Sequence, residues 1–233
     1  MVVQEPAALA EVLAHRVVSA GQRALDARGS LSIALPGGSV AAAFFPRLAA
    51  AAFDWRQAHF FWVDERAVPP GDPESNYGAA RALWLAPAGV PDARVHRMRG
   101  EAADLEGEAR ACEAELRRAL GDPPVLDVAL LGVGPDGHVA SLFPGHRLLE
   151  ETARRAAALD DAPKPPPRRL TLTLPALSAA RLVVVAAFGA GKADVVRQAL
   201  EAPASPLPLA RLARAAGASL FLLDAEAAGA LRR

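Results

Sequence analysis

The chain has a single cysteine, no excess of either charge and no hydrophobic run long enough to span a bilayer. Each absence removes a class of protein. One thiol, Cys112, closes no internal disulfide, and its setting in Ala-Cys-Glu-Ala-Glu-Leu reads as a helix surface, either inert packing or an exposed thiol. The 26 basic residues balance the 26 acidic ones, so nothing in the composition suggests a basic surface for nucleic acid. A small anionic ligand would have to be met by local cations rather than by a global field. No apolar stretch reaches the roughly 18 residues of a membrane span. At the N-terminus, Glu5 and Pro6 stand where a signal peptide carries basic and then apolar residues, so the expectation is a cytoplasmic protein.

What the chain does have is a large apolar fraction, 52% hydrophobic against 22% charged, over 233 residues. A chain of that length buries roughly 70% or more of its unfolded surface and needs no staples. One domain over residues 1–233 is expected, and no internal repeat is visible. Leu9, Val12, Leu13, Val17, Ala20 and Ala24 recur at helical spacing up to Gly29. Short apolar runs follow at 31–35, 59–63, 125–132, 181–188 and 219–223, too brief for helices and suited to strands covered on both faces. Helical patterns at 39–52, 76–85, 101–120, 192–200 and 224–233 separate or follow them, and 94–98 and 169–174 read as further strands. Such alternation predicts an α/β fold, a Rossmann-like, mostly parallel sheet flanked by helices, with ligands at the carboxyl ends of the strands. The proline-rich stretch 162–167 reads as an ordered crossover loop rather than a linker.

Three strand ends carry unusual loops. In Leu35-Pro-Gly-Gly-Ser-Val40, Gly37 and Gly38 let backbone N–H groups approach an anion at a helix N-terminus. The same residues also make a plain tight turn with Ser39 as helix N-cap, and the loop alone does not separate the two. In Val63-Asp-Glu-Arg66, Arg66 can bind phosphate bidentately and Asp64 can accept from sugar hydroxyls. A lone Asp-Glu-Arg reads first as a salt-bridged surface loop. Ser75 and Asn76 just downstream read as helix-capping residues.

The third loop, from Leu130 to His146, contains Gly132, Gly134 and Gly137 at the spacing of a dinucleotide fingerprint. That motif requires a helix to start at once beneath a pyrophosphate. Here Pro144-Gly145 interrupts any helix, and Asp136 would set a carboxylate against the pyrophosphate. What remains is a glycine-rich loop presenting Asp136 and His138. An imidazole titrates near neutrality and can take a proton from water. A structural histidine is the commoner case, but the glycines and the strand-end position favour a base. Gly189-Ala-Gly-Lys-Ala193 resembles the end of a P-loop but has Ala186 for its first glycine and no hydroxyl at 193. Lys192 can still bind phosphate. Asp136, His138 and His146 match no usual metal-ligand spacing, so no metal is expected, and His15, His59 and His96 read as structural.

Taken together, Gly37-Gly-Ser39, Val63-Asp-Glu-Arg66 with Ser75-Asn76, the block from Gly132 to Gly145, Pro163-Lys-Pro-Pro with Arg169-Leu-Thr-Leu-Thr173, and Gly191-Lys192 resemble the 6-phosphogluconolactonase family. They occur in that family's order from about Leu31 to Lys192. The resemblance implies a fold of the sugar-phosphate isomerase/deaminase-like group, and hydrolysis of 6-phospho-D-glucono-1,5-lactone in the oxidative pentose phosphate pathway. It implies His138 as general base, with Arg66 and Lys192 as anion-binding cations; Asp136 either orients His138 in catalysis or fixes the loop. Gly37, Gly38, Ser39, Asp64, Arg66, Gly134, Arg169 and Lys192 would form the substrate-binding set, with no cofactor. The family's glycine loop usually reads Ser-Gly-Gly-Ser-Thr-Pro; here Pro36 precedes the glycines and Val40-Ala41 follow Ser39, so two hydroxyls are missing. The expected partner is a phosphorylated sugar lactone, not nucleic acid or membrane, and the oligomeric state stays open. Two rivals stand beside this reading. An amino-sugar phosphate deaminase or isomerase of the same fold needs a further acid–base group, which resembling deaminases carry as Glu where this chain has Phe143. A sugar-phosphate sensor would need no base.

Overall fold

A computed structural model describes residues 2–3 and 6–232. In chain order its elements are β1 (Val2–Val3), α1 (Pro6–Arg28), β2 (Leu31–Leu35), α2 (Gly38–Ala49), β3 (Ala58–Trp62), β4 (Asp64–Arg66), α3 (Asn76–Ala80), α4 (Leu105–Leu120), β5 (Val128–Leu131), β6 (Ala156–Leu159), β7 (Arg169–Leu172), α5 (Leu174–Ser178), β8 (Leu182–Ala187), α6 (Ala193–Glu201), α7 (Pro208–Ala215) and β9 (Ser219–Asp224).

Six strands form an all-parallel sheet in the order β1-β9-β8-β5-β2-β3. Every residue of β2 and β5 is buried, as strands covered on both faces must be. After β2 the chain turns to β3 on one side, then returns to place β5 on the other, so the strand order reverses between β2 and β5. At such a reversal the loops leaving adjacent strands diverge and open a crevice at the carboxyl ends. The glycine loop follows β2, the Asp-Glu-Arg segment follows β3, the His138 loop follows β5 and Lys192 follows β8.

A second, antiparallel sheet, β4-β7-β6, lies beside the first. Val63 joins the two: its N–H donates to Leu35 O in β2, and its carbonyl accepts from Leu172 N in β7. An aromatic cluster of Phe45, Trp55, Phe60 and Trp84 fills the core beneath β3 and α2.

Several expectations are corrected. Residues 92–98 form a short 3-10 turn and one bridge, Val95 to Phe60, rather than a strand; the next N–H groups turn away, Arg99 N donating to the Glu108 carboxylate. Residues 225–230 form turns rather than a helix: Asp224 caps the Ala227 amide as at a helix start, but Gly229 N and Leu231 N then bond only three residues back, to Glu226 O and Ala228 O; Arg233 lies outside the described residues. Stretch 162–167 is no crossover but the tip of the β6–β7 hairpin, closed by Ala162 N to Pro167 O. The 76–85 helix changes to a wider π turn at Arg81–Leu85, and the 101–120 helix starts only at Leu105, where Asp104 caps it. Cys112 is half-buried on α4, and burial pushes its thiol up to about 12, which fits inert packing rather than an exposed thiol.

Trp84 is fully buried, and Trp84→Ala leaves a cavity among three other aromatic rings. Urea unfolding should show a loss of about 3–5 kcal/mol.

Candidate active site

The crevice at the strand reversal is a cleft of about 230 Å³. Of the residues singled out from the sequence, Gly37, Gly38, Ser39, Asp64, Arg66, Gly134, His138, Arg169 and Lys192 all line it. Asp136 lies just outside, bonded to His138. Asn76, Ala140 and Phe188 are among the other residues of its walls.

The centre of the cleft is the His138 loop. A carboxylate can only accept, so the contact of 2.5 Å between His138 Nδ1 and Asp136 Oδ1 assigns the ring proton to Nδ1. Nε2 is then the basic nitrogen of the neutral ring, without a hydrogen-bond partner among the described residues. Burial is the largest influence on the imidazole and pushes it below its ordinary value; Asp136 pulls it up without offsetting this. Burial also raises Asp136, but the bonds from His138 and Lys164 outweigh it and hold the carboxyl low. Phe143 packs against the ring at 4.7 Å.

The loop closes through Gly134 N to His138 O and Gly137 N to Gly134 O, with Gly137 at φ +82°. No helix follows it, only a turn and a bridge between Val139 and Leu142, which agrees with rejecting the dinucleotide motif. Ala140, in the left-handed region at φ +49°, holds about 1 kcal/mol of backbone strain.

The cations come from two other loops. Arg66 donates through Nη1 to the Glu74 carbonyl and carboxylate, while its buried Nε has no partner among the described residues. The Lys192 ammonium forms no ion pair among the described residues, and burial, then nearby Lys164, pushes it below its usual range. At the glycine loop, α2 starts at Gly38 with Gly37 in the cap position and no side-chain cap bond, so Ser39 is not the N-cap. Its first-turn amides face the open end of the helix.

Asp64 and Arg169 are deeply buried and already engaged. Asp64 accepts from Ser141 Oγ at 2.6 Å and from Asn76 Nδ2 at 3.2 Å. Arg169 donates to the carbonyls of Lys164, Pro165 and Pro166, and its Nη1 lies 3.9 Å from Asp64. Glu65, which the sequence reading passed over, accepts the backbone N–H groups of Arg66, Asn76 and Tyr77 and the Ser75 hydroxyl, so it anchors the start of α3 to β4. Ser75 does cap α3, whereas Asn76 instead bonds Asp64. Lys164 was also overlooked as a site residue: no short spacing connects it to His138. Elsewhere His59, His96 and Glu115 form a hydrogen-bonded row and His146 pairs with Asp161, both structural arrangements.

A parallel sheet carrying a cationic, glycine-lined crevice at its strand reversal, without a nucleotide-binding helix, defines an α/β protein whose crevice suits a small anion rather than a dinucleotide. A family model described as glucosamine-6-phosphate isomerases/6-phosphogluconolactonase matches residues 4–221. The 6-phosphogluconolactonase of Mycobacterium tuberculosis is 41% identical over 230 residues, covering 93% of this chain and 91% of its own length. That of Rattus norvegicus is 42% identical over 229 residues, covering 95% and 88%. The solved structure of the Trypanosoma brucei 6-phosphogluconolactonase matches with a TM-score of 0.87 and 31% identity, covering 100% of this chain and 98% of that one. The chain belongs to the glucosamine-6-phosphate isomerase/6-phosphogluconolactonase family.

A methyl group at Gly134 would sit 2.0 Å from His138 Nδ1 and 2.5 Å from Asp136 Oδ1. Gly134→Ala should therefore push the imidazole off Asp136 while the fold stays intact by circular dichroism. The check is the proton NMR signal of the Nδ1–H, which should disappear into solvent exchange.

Proposed function

We propose that this chain hydrolyses 6-phospho-D-glucono-1,5-lactone to 6-phospho-D-gluconate, a reaction of the oxidative pentose phosphate pathway, with His138 as general base. The observation that carries the reading is the His138–Asp136 pair in one cleft with the cations Arg66 and Lys192. Relatives named for this activity, about 40% identical across nearly the whole chain, support it.

In this reading the phosphate lies between Arg66, Lys192 and the first amides of α2, which offers charge and directed donors to a dianion. Gripping that end fixes the lactone carbon near the imidazole and makes the attack effectively intramolecular. Neutral His138 takes a proton from water through Nε2 as the water oxygen bonds to C1. The tetrahedral intermediate collapses by breaking the bond from C1 to the ring oxygen, and the imidazolium returns its proton to that oxygen. Asp136 holds the tautomer and stabilises the imidazolium between the two transfers. Gly134 gives the ring the room it occupies, and Asp64 and Arg169 brace the wall behind it.

The deaminase alternative needs another acid–base group beside the histidine, and the side chain packed there is the buried, apolar Phe143. A sensor would bind the lactone without accelerating its hydrolysis.

His138→Asn should lower kcat by roughly a hundredfold or more, read by coupling 6-phosphogluconate formation to NADP-dependent oxidation and subtracting spontaneous hydrolysis. Full activity in that variant would sink the mechanism; no acceleration by the unmodified protein would favour the sensor. Because burial depresses the imidazole, kcat/KM should hold through neutral pH and fall only below the ordinary histidine value of 6.5, as the base becomes protonated.

A further inference from the structure

Lys164 sits 26 residues beyond His138 in the chain, at the tip of the β6–β7 hairpin, yet its ammonium reaches the base. Nζ lies 3.3 Å from Asp136 Oδ1, the oxygen that accepts the imidazole N–H, and 3.5 Å from His138 Nδ1. The hairpin tip is tied from below. Arg169, buried beneath it, donates to three consecutive carbonyls, at 3.1 Å to Lys164, 3.2 Å to Pro165 and 2.9 Å to Pro166. A buried guanidinium spent on backbone carbonyls is an unusual use of charge, and its effect is to fix the path of the loop that carries Lys164.

We propose that Lys164 is a positioning residue for the dyad: its ammonium shares Oδ1 of Asp136 with the imidazole N–H, fixing the carboxylate and placing a permanent positive charge beside the base. The inference rests on His138 being the base but concerns a residue outside the cleft lining. Two consequences follow from elementary electrostatics. The shared oxygen restrains Asp136, and through it the ring. The ammonium also opposes the imidazolium, so it keeps the resting base neutral and favours return of the proton to the departing ring oxygen. Other charged groups around the imidazole are Asp136 and Asp64, which favour its protonation, and Arg169, on the Phe143 ring that packs against His138. Arg66 and Lys192 line the same cleft. Among the described residues, Lys164 is the one cation that contacts the dyad directly.

The test compares Lys164→Met and Lys164→Arg with the unmodified protein. His138 is titrated by NMR, its signals assigned by their loss in His138→Asn, and kcat and KM for the lactone are measured across pH. In Lys164→Met the imidazole titration and the acid limb of kcat/KM should both move to higher pH. The maximal kcat should fall about two- to fivefold, the size of effect a half-exposed ion pair has, with KM nearly unchanged. Lys164→Arg should keep both the titration and the rate. An unmoved titration in Lys164→Met overturns the proposal. So does a raised KM with an unchanged pH profile, since Lys164 would then grip the substrate rather than the dyad. Full activity of His138→Asn would instead overturn the choice of base, while the NMR titration would still judge the Lys164 contact on its own.

Discussion

The bond from His138 Nδ1 to Asp136 is the constraint on which the site depends. It determines the tautomer, and the tautomer leaves Nε2 as the basic nitrogen. Burial against Phe143 would otherwise leave a depressed, freely turning imidazole that is neutral but aimed nowhere. The carboxylate provides direction and a countercharge for the protonated stage, and burial keeps the resting ring unprotonated. Neither influence alone makes a base that works at neutral pH. The glycines belong to the same constraint, since a side chain at Gly134 would occupy the space in which the pair meets.

The sheet explains why this pair faces the cations. β8, β5, β2 and β3 are neighbours, all parallel, so their four following loops emerge on one edge. The reversal between β2 and β5 separates the glycine loop from the His138 loop by a crevice rather than by packed side chains. Val63 then sends the chain from the first sheet into the second, which places Arg66 on one side of the crevice and, through the β6–β7 hairpin, Arg169 beneath Lys164. Charges with no counterpart at the level of net charge thus become a local field.

Much of this was legible in the amino-acid sequence because the chemistry sits at strand ends, where apolar runs stop abruptly at Gly, Asp, Arg and His. Strands β2, β3, β5, β8 and β9 announce themselves through short, largely apolar runs. The residues that escaped notice act across long separations or through the backbone. Lys164 meets Asp136 only because a hairpin returns it, and Glu65 works by accepting amides that no side-chain pattern reveals. Strand β6, Ala156–Leu159, has an alanine composition without strand preference and is defined by its pairing with β7. The alanine-rich segment after Asp224 looks helical by composition and begins with a helix-type cap on the Ala227 amide, yet Gly229 N and Leu231 N bond only three residues back, so it stays in turns. In β6 tertiary hydrogen bonding overrides local propensity.

The orientation of a bound ligand tests the central claim most directly. A crystal structure with 6-phosphogluconate should place its C1 carboxylate within about 2.6–3.2 Å of His138 Nε2. The phosphate should lie between Arg66, Lys192 and the start of α2, with Nδ1 still on Asp136. A phosphate bound at the imidazole, or a ring turned so that Asp136 no longer holds it, would contradict the mechanism.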